Sequence, residues 1–272
     1  MSAGAVLLRV EDVVKRFEAA GARIVAVDHV SFSVAAGEVL SVVGPSGCGK
    51  STLFNIVGGL TLADEGRVLV EDEIVTRPHP AIGMVFQEES TFPWRSVLEN
   101  VMFPLELAGM ARRDRIARAG EYLALVGLDG FARHYPSELS GGMRQRVAIA
   151  RTLASHPKIL LMDEPFAALD AQTRVLLGDS VLQIQQKLAQ TMLLVTHNIS
   201  EAVQLSDRVV VMSYRPGRVK QIVDIDLPRP RTSDVVGSSQ FAGYVGAIWN
   251  DLREEASRGM RDAEVSSMRG HG

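Results

Sequence analysis

The residues with the plainest chemical purpose lie in one run, Gly44-Pro45-Ser46-Gly47-Cys48-Gly49-Lys50-Ser51-Thr52. Counted from Gly44 to Ser51, it fits G-x-x-x-x-G-K-[ST], the spacing of a loop that cradles phosphate. Glycines let the backbone turn tightly and bring N–H groups against phosphate oxygens. A helix opening near Lys50 adds the positive end of its dipole and unsatisfied donors. Lys50 has the reach for β- and γ-phosphates, and the Ser51 hydroxyl suits Mg²⁺. The apolar run EVLSVV ahead of the loop and the helical pattern of 51–57 behind it supply the required context, against the alternative of a chance glycine turn. Cys48 sits beside Lys50, which favours its thiolate, so alkylation there is expected to block nucleotide binding.

A second chemical pair follows the apolar run Ile159-Leu160-Leu161-Met162, which ends in Asp163-Glu164-Pro165. A buried strand that delivers two carboxylates at its carboxyl end places them where α/β sheets bind ligands. Asp163 suits a direct or water-mediated Mg²⁺ contact. Glu164 suits the polarisation of an attacking water. Alone, such a pair also describes an ordinary charged strand end; downstream of a phosphate loop, phosphoryl transfer gives both carboxylates work. A third segment, Leu139-Ser140-Gly141-Gly142-Met143, opens a helical pattern (Val147, Ala150, Leu153, Ala154). Ser140 and the two glycines make either a second anion site or a plain N-cap and turn.

The elements that must position these groups are legible in outline. The chain has 272 residues, 46% hydrophobic and 22% charged, with a formal net charge of −3, so it can bury a sizeable core and is not a disulfide scaffold or a polycation that coats nucleic acid. The single cysteine fits a reducing compartment. No apolar run reaches membrane-spanning length. The opening MSAGAVLLRVEDVVKRF carries Arg9, Glu11, Asp12 and Lys15 too early for a signal peptide, which gives the expectation of a cytoplasmic chain. Residues 5–43 read as strands through β-branched residues in period-2 alternation, and strand signals return at 68–70 and 82–86. From about 87 to 157 the pattern is helical, as in RRDRIARAGEYLALVGL, closed by Gly127 and Gly130. Strands and helices then alternate (KILLMD, a helix after Gln172, TMLLVT, a helix from about Ser200, RVVVM), which predicts a mostly parallel sheet covered on both faces. PRPRTSD reads as a turn-rich linker. Phe241, Val245, Ile248, Trp249 and Leu252 mark one amphipathic helix from Ser239 to about Ala256, followed by a frayed tail.

In this order and spacing the motifs resemble those of the ATP-binding cassette (ABC) ATPases over about residues 6–225. LSGGM resembles the family signature, 23 residues before Asp163. Gln87 in MVFQ resembles the Q-loop glutamine, Ala168-Leu169-Asp170 the D-loop, His197 in VTHN the switch histidine, and Phe17 in VVKRF the aromatic that stacks on adenine. Met143, Ala168 and Phe17 depart from the commonest residues, Gln, Ser and Tyr.

The resemblance implies an α/β P-loop fold with a mostly parallel core sheet, an antiparallel β subdomain and an inserted helical subdomain of about 88–157. It implies a cassette over 1–227 and an extension over 228–272. ATP and Mg²⁺ would be bound by Phe17, residues 44–52, Gln87, Ser140, Gly141, Gly142 and Asp170. Ser51, Gln87 and Asp163 would serve the metal, and Lys50, Glu164 and His197 catalysis. ATP would lie between the phosphate loop of one copy and the signature of a second, so the expected partner is a second copy of this chain. The chain would work at the cytoplasmic face of the membrane with a permease that contacts the region around Gln87–Trp94, in a system with a solute-binding protein and no nucleic acid. The Q-E-x-x-x-x-P-W pattern and the tail LPRPR resemble the nitrate/sulfonate/taurine importer ATPases. Competing readings are a soluble ABC ATPase acting on DNA or ribosomes, an exporter or lipid-transport cassette, and a non-ABC P-loop kinase. The last leaves LSGGM and His197 unexplained.

Overall fold

A computed structural model describes the chain except residues 1–3, 20, 21, 88, 89, 168, 230, 232 and 270–272. In chain order the strands are β1 (Val6–Ala19), β2 (Ala22–Ala35), β3 (Val39–Val43), β4 (Glu65–Val70), β5 (Glu73–Ile74), β6 (Ile82–Val85), β7 (Ile159–Asp163), β8 (Thr191–Thr196), β9 (Arg208–Met212) and β10 (Val219–Asp224). The α-helices are α1 (Lys50–Val57), α2 (Val97–Leu107), α3 (Arg112–Leu125), α4 (Gly141–Ala154), α5 (Ala171–Leu188), α6 (Ile199–Leu205), α7 (Ser233–Val236) and α8 (Ser239–Arg269). The chain divides into two compact units, Met1–His79 with Leu193–Gly272, and Pro80–Met192.

The first unit holds an antiparallel sheet of order β2-β1-β4-β5. Its long β1–β2 ribbon follows the alternation seen in the sequence: Leu8 and Val10 are buried, while Arg9 between them pairs with Glu11 and Asp72 on the solvent side. The register shifts between Val10 and Val13, beside Asp12 at φ +53°, which bends the ribbon. The unit also carries β9 parallel to β3 and antiparallel to β10. Every residue of β3 is buried, as a central parallel strand requires. The one hydroxyl in that strand, on Ser41, is hydrogen-bonded to the Ser206 hydroxyl.

The segment that reads as a turn-rich linker is pinned rather than loose. Arg231 is buried and donates to the carbonyls of Leu227, Ile225 and Ser206. Its removal from water pushes its pKa below the usual arginine range. The helix α8 lays Phe241, Ile248 and Leu252 into one apolar cluster with Ile199, Val203, Val209, Val211 and Val43. It continues to Arg269, past Ala256 where the apolar period ends.

The second unit holds β6 parallel to β7 and the helices α2, α3, α4 and α5. A capping box starts α2: Ser96 Oγ accepts from Glu99 N at 3.3 Å, and Glu99 Oε2 accepts from Ser96 N at 2.9 Å. The helices α2, α3 and α4 pack on one another. Among the described residues no helix is long and apolar enough to cross a membrane.

Candidate functional site

The expected phosphate loop is built in the first unit. Buried β3 delivers the chain to Gly44, and α1 departs at Lys50. Gly49 takes φ +96°, and a Cβ there would lie 2.4 Å from the Ala26 carbonyl oxygen, so only glycine fits. No side chain caps α1, which leaves the donors of its first turn aimed at any anion in front of it. Lys50 is buried to its tip, and Nζ donates to the carbonyls of Gly44 at 2.9 Å and Pro45 at 3.1 Å. Its ammonium is therefore held inside the curve of the loop, while Ser46, Gly47 and Ser51 are exposed.

Cys48 overturns the expectation drawn from its neighbour. The side chain is fully buried, and loss of water pushes its thiol pKa up; the nearby Lys50, whose Nζ lies 4.0 Å from Sγ, only partly opposes this. Burial outweighs the cation, so the group is a neutral packing thiol and not a favoured thiolate.

Two further candidates belong to this unit. His197 follows β8 and is exposed. Its neighbours fix the turn: Thr196 Oγ1 donates to Glu201 Oε2 at 2.7 Å and accepts from Asn198 N at 3.0 Å, and Asn198 Oδ1 accepts from Glu201 N at 3.2 Å. Phe17, on β1, is 44% exposed, with Lys15 Nζ 5.7 Å from its ring centroid. An exposed ring on a strand is a surface on which a base can stack.

The second unit carries the remaining candidates. Asp163 closes β7 half-buried after four buried apolar residues. Glu164 follows at φ +44°, a left-handed conformation that is uncommon for a side chain of this kind and marks local strain. Gln87 is exposed just after β6. The expected contact segment includes Glu88 and Glu89, and the expected D-loop includes Ala168; these three lie outside the described residues.

Ser140 is the N-cap of α4 and accepts from Met143 N at 3.3 Å. Gly142 is buried, and a Cβ on it would lie 2.6 Å from Thr173 Cγ2. Thr173 in turn donates Oγ1–H to Asp170 Oδ2 at 2.6 Å. The start of α4 and Asp170 are thus brought together through one threonine. Asp170 caps α5 by accepting from the backbone of Gln172 and Thr173, and the Thr173 hydroxyl bond first among these holds its pKa below the usual carboxylate range.

Several residues of consequence gave no signal in the sequence. Asn100, buried in α2, accepts from Phe92 N at 2.8 Å and donates Nδ2–H to the carbonyls of Phe92, Arg95 and Ser96. It fixes the loop that presents Phe92 and Trp94. Phe92 packs edge-on to Phe103 and lies under the guanidinium of Arg151, while Trp94 is 72% exposed. In the first unit, Arg215 Nε donates to the Gly47 carbonyl at 3.0 Å. A separation of 168 residues hides that contact from any local pattern.

The expected metal donors are hard oxygens, the Ser51 hydroxyl in the first unit and the Asp163 carboxylate in the second. Among the described residues no group of three or more His, Cys, Asp or Glu side chains could hold a metal unaided. Each is the kind of donor that Mg²⁺ accepts, since that ion binds through one or two protein oxygens together with substrate phosphates.

The chain matches the family model for the ABC transporter over residues 27–167. It is 50% identical over 256 residues to an uncharacterized ABC transporter ATP-binding protein of Methanocaldococcus jannaschii, across 94% of this chain and 95% of that relative. It is 42% identical over 252 residues to a nitrate import ATP-binding protein of Synechocystis, across 90% and 95%. Its fold is similar to a solved dimeric ATP-binding cassette in a post-hydrolysis state with ADP and Pi, with a TM-score of 0.71 and 33% identity, covering 82% of this chain and all of that one. Sequence motifs, fold and relatives agree: the chain belongs to the ABC transporter family as an ATP-binding cassette ATPase.

Proposed function

We propose that this chain powers a membrane importer of a small solute such as nitrate, a sulfonate or taurine. Relatives named for the import of each of these support that reading. The observation that carries the mechanism is that one chain holds two different anion-seeking helix starts, the phosphate loop before α1 and Ser140 before α4. In the proposed assembly two copies associate head to tail, and ATP is held by the loop of one and the signature of the other. The dimeric cassette to which the fold is similar supports that arrangement.

Within it, Lys50 and the backbone of residues 44–49 neutralise and orient the phosphates. Phe17 stacks on the base. Ser51, Asp163 and Gln87 would hold Mg²⁺, which when bound would supply charge neutralisation on the phosphate oxygens. Glu164 takes the proton from the water that attacks the γ-phosphorus, giving ADP and phosphate. His197 holds that water and the γ-phosphate in line. Asp170, whose carboxylate is committed to capping α5, shapes the junction with the signature. Residues 1–227 form the cassette in this reading, and the helices of about 88–157 carry the permease-facing loop around Gln87–Trp94. The chain then sits peripherally at the cytoplasmic face of the membrane, with a solute-binding protein elsewhere in the system.

Glu164→Gln tests both halves of this proposal. It keeps the hydrogen-bonding shape but cannot accept the water's proton, so ATP should still bind and the closed dimer should accumulate. Light scattering with saturating Mg-ATP reads the mass, and phosphate release reads turnover. A variant that remains monomeric under ATP, or that hydrolyses at the wild-type rate, overturns the reading. Co-purification with ribosomes or DNA in place of a membrane protein would overturn the importer assignment.

A further inference from the structure

The loop between β9 and β10 has no role in the site as described, yet it touches the phosphate loop at two points. Arg215 Nε donates to the Gly47 carbonyl at 3.0 Å. Gly217 lies against Cys48 so closely that a Cβ on it would sit 2.0 Å from the Cys48 carbonyl oxygen. The same loop is tied to β2: Gly217 N donates to the Ala26 carbonyl at 3.1 Å, Asp28 N to the Gly217 carbonyl at 2.9 Å, and Arg218 Nε to Asp28 Oδ2 at 2.7 Å. It is closed on itself by Ser213, whose hydroxyl accepts from Arg218 N at 3.0 Å and donates to the Pro216 carbonyl at 3.0 Å.

The C-terminal helix holds this loop from the other side. Glu255, buried on α8, accepts from Tyr214 N at 2.9 Å. Its other carboxylate oxygen is 3.5 Å from Lys220 Nζ, which also donates to the Asp251 carbonyl at 2.9 Å. Gln221 Nε2 donates to Asp251. Both ends of the loop are therefore gripped by one turn of α8. The apolar face of the same helix shares a cluster with Val43, the residue directly before Gly44.

We propose that Arg215 and Glu255 are positioning residues for nucleotide binding: α8 fixes the β9–β10 loop, and that loop fixes the Gly47–Cys48 peptide of the phosphate loop. The physical reason is preorganisation. A peptide unit is planar, so holding the Gly47 carbonyl also sets the plane of the Cys48 N–H. A glycine-rich loop held in one shape before ATP arrives loses less conformational entropy on binding. The C-terminal extension thereby contributes to affinity without touching the ligand. This inference rests on the assignment of residues 44–52 to the phosphates, and the experiment separates the two.

ATP affinity is measured by calorimetry on the full chain for Arg215→Ala, Arg215→Lys, Glu255→Ala and Glu255→Gln, with Lys50→Ala as reference. Hydrogen exchange is followed in peptides covering 44–52 and 97–107, and thermal unfolding is recorded for each variant. Arg215→Ala and Glu255→Ala should each weaken ATP binding about three- to tenfold, the loss expected for one hydrogen bond that orders a site. Exchange in 44–52 should rise in both, with 97–107 unchanged. Glu255→Gln retains an acceptor for Tyr214 N and should bind within about twofold of wild type, and Arg215→Lys should recover part of the loss. Arg215 is exposed, so its alanine variant folds even where Glu255→Ala does not. If Lys50→Ala loses affinity while Arg215→Ala binds as wild type, the positioning role is overturned and the phosphate-loop assignment stands. If Glu255→Ala melts earlier but binds as wild type, the role of α8 is purely structural and the inference also fails. If Lys50→Ala itself binds normally, the underlying assignment is wrong.

Discussion

The two helix starts proposed to bind anions are held in different ways. The proposed phosphate loop is fixed by its own backbone, by groups buried beneath it and, from outside, by Arg215 on the Gly47 carbonyl. Lys50 is bound to two loop carbonyls, Cys48 is sealed from water, and Gly49 fills a space too tight for any Cβ. The start of α4 is held by side chains at the surface, Ser140 and Asp170, with Gly142 buried against half-buried Thr173. Ser140 caps α4, and the hydroxyl of Thr173 links its neighbourhood to Asp170. In the aromatic loop of the same unit one buried asparagine fixes the backbone, and Trp94 is left in solvent. A surface that must meet small, highly charged phosphates benefits from a rigid cradle whose donors need no rearrangement. A surface that meets protein partners keeps caps and exposed rings that can be covered later.

The sharpest way to break this comparison is to remove the charge inside the cradle. Lys50→Ala should weaken ATP binding about ten- to a hundredfold, since in the proposed site it deletes a charged donor that serves the phosphates. Titration of the full chain with Mg-ATP measures this. An affinity within twofold of wild type would mean that residues 44–52 are not where the phosphates bind.

The next effect concerns the other region and falls on stability rather than on affinity. Asn100→Ala removes four hydrogen bonds and leaves the Phe92 N–H and three carbonyls without that partner. The expected cost is about 2–4 kcal/mol in chemical denaturation, with ATP affinity unchanged. Trp94→Ala, at an exposed position, should change stability by no more than about 0.5 kcal/mol, yet weaken association with a membrane partner. If both variants instead alter ATP affinity and leave stability alone, the division of labour drawn here is wrong.

These contrasts also explain what was legible from residues alone. Phosphate chemistry demands small and charged residues at fixed places over eight positions, so the loop could be found by eye, and the buried strands β3, β7 and β8 announced themselves as largely apolar runs. The signature needed its resemblance, because a serine N-cap with two glycines is common chemistry. Asn100 and Arg215 could not be found. Their importance lies in partners that folding supplies, one across a local loop and the other from a strand connection 168 residues away. Arg231 shows the same limit: in sequence it is one basic residue of a proline-rich linker, and in the fold it is a buried staple for three carbonyls. Cys48 misled for a related reason. Sequence shows that Lys50 is near, but burial is a property of the fold, and it decides the sign of the pKa shift.

That sign yields the smallest effect and the finest probe of how closed the cradle is. Burial raises the Cys48 pKa, so at pH 8 the thiolate fraction lies below that of an ordinary thiol and increases only as the pH climbs further. Sγ is also shielded, since the side chain has no exposed surface. Iodoacetamide at pH 8 should label the folded protein at least about tenfold more slowly than the urea-unfolded chain, because the attacking species is both scarce and covered. Saturating ATP should slow labelling further by holding the loop shut. Rapid labelling of the folded protein, with thiolate-like behaviour near neutral pH, would show that the loop opens readily and that Lys50 then governs the thiol. The rigid half of the comparison would have to be withdrawn, since a cradle that admits an alkylating agent to its floor is not preorganised.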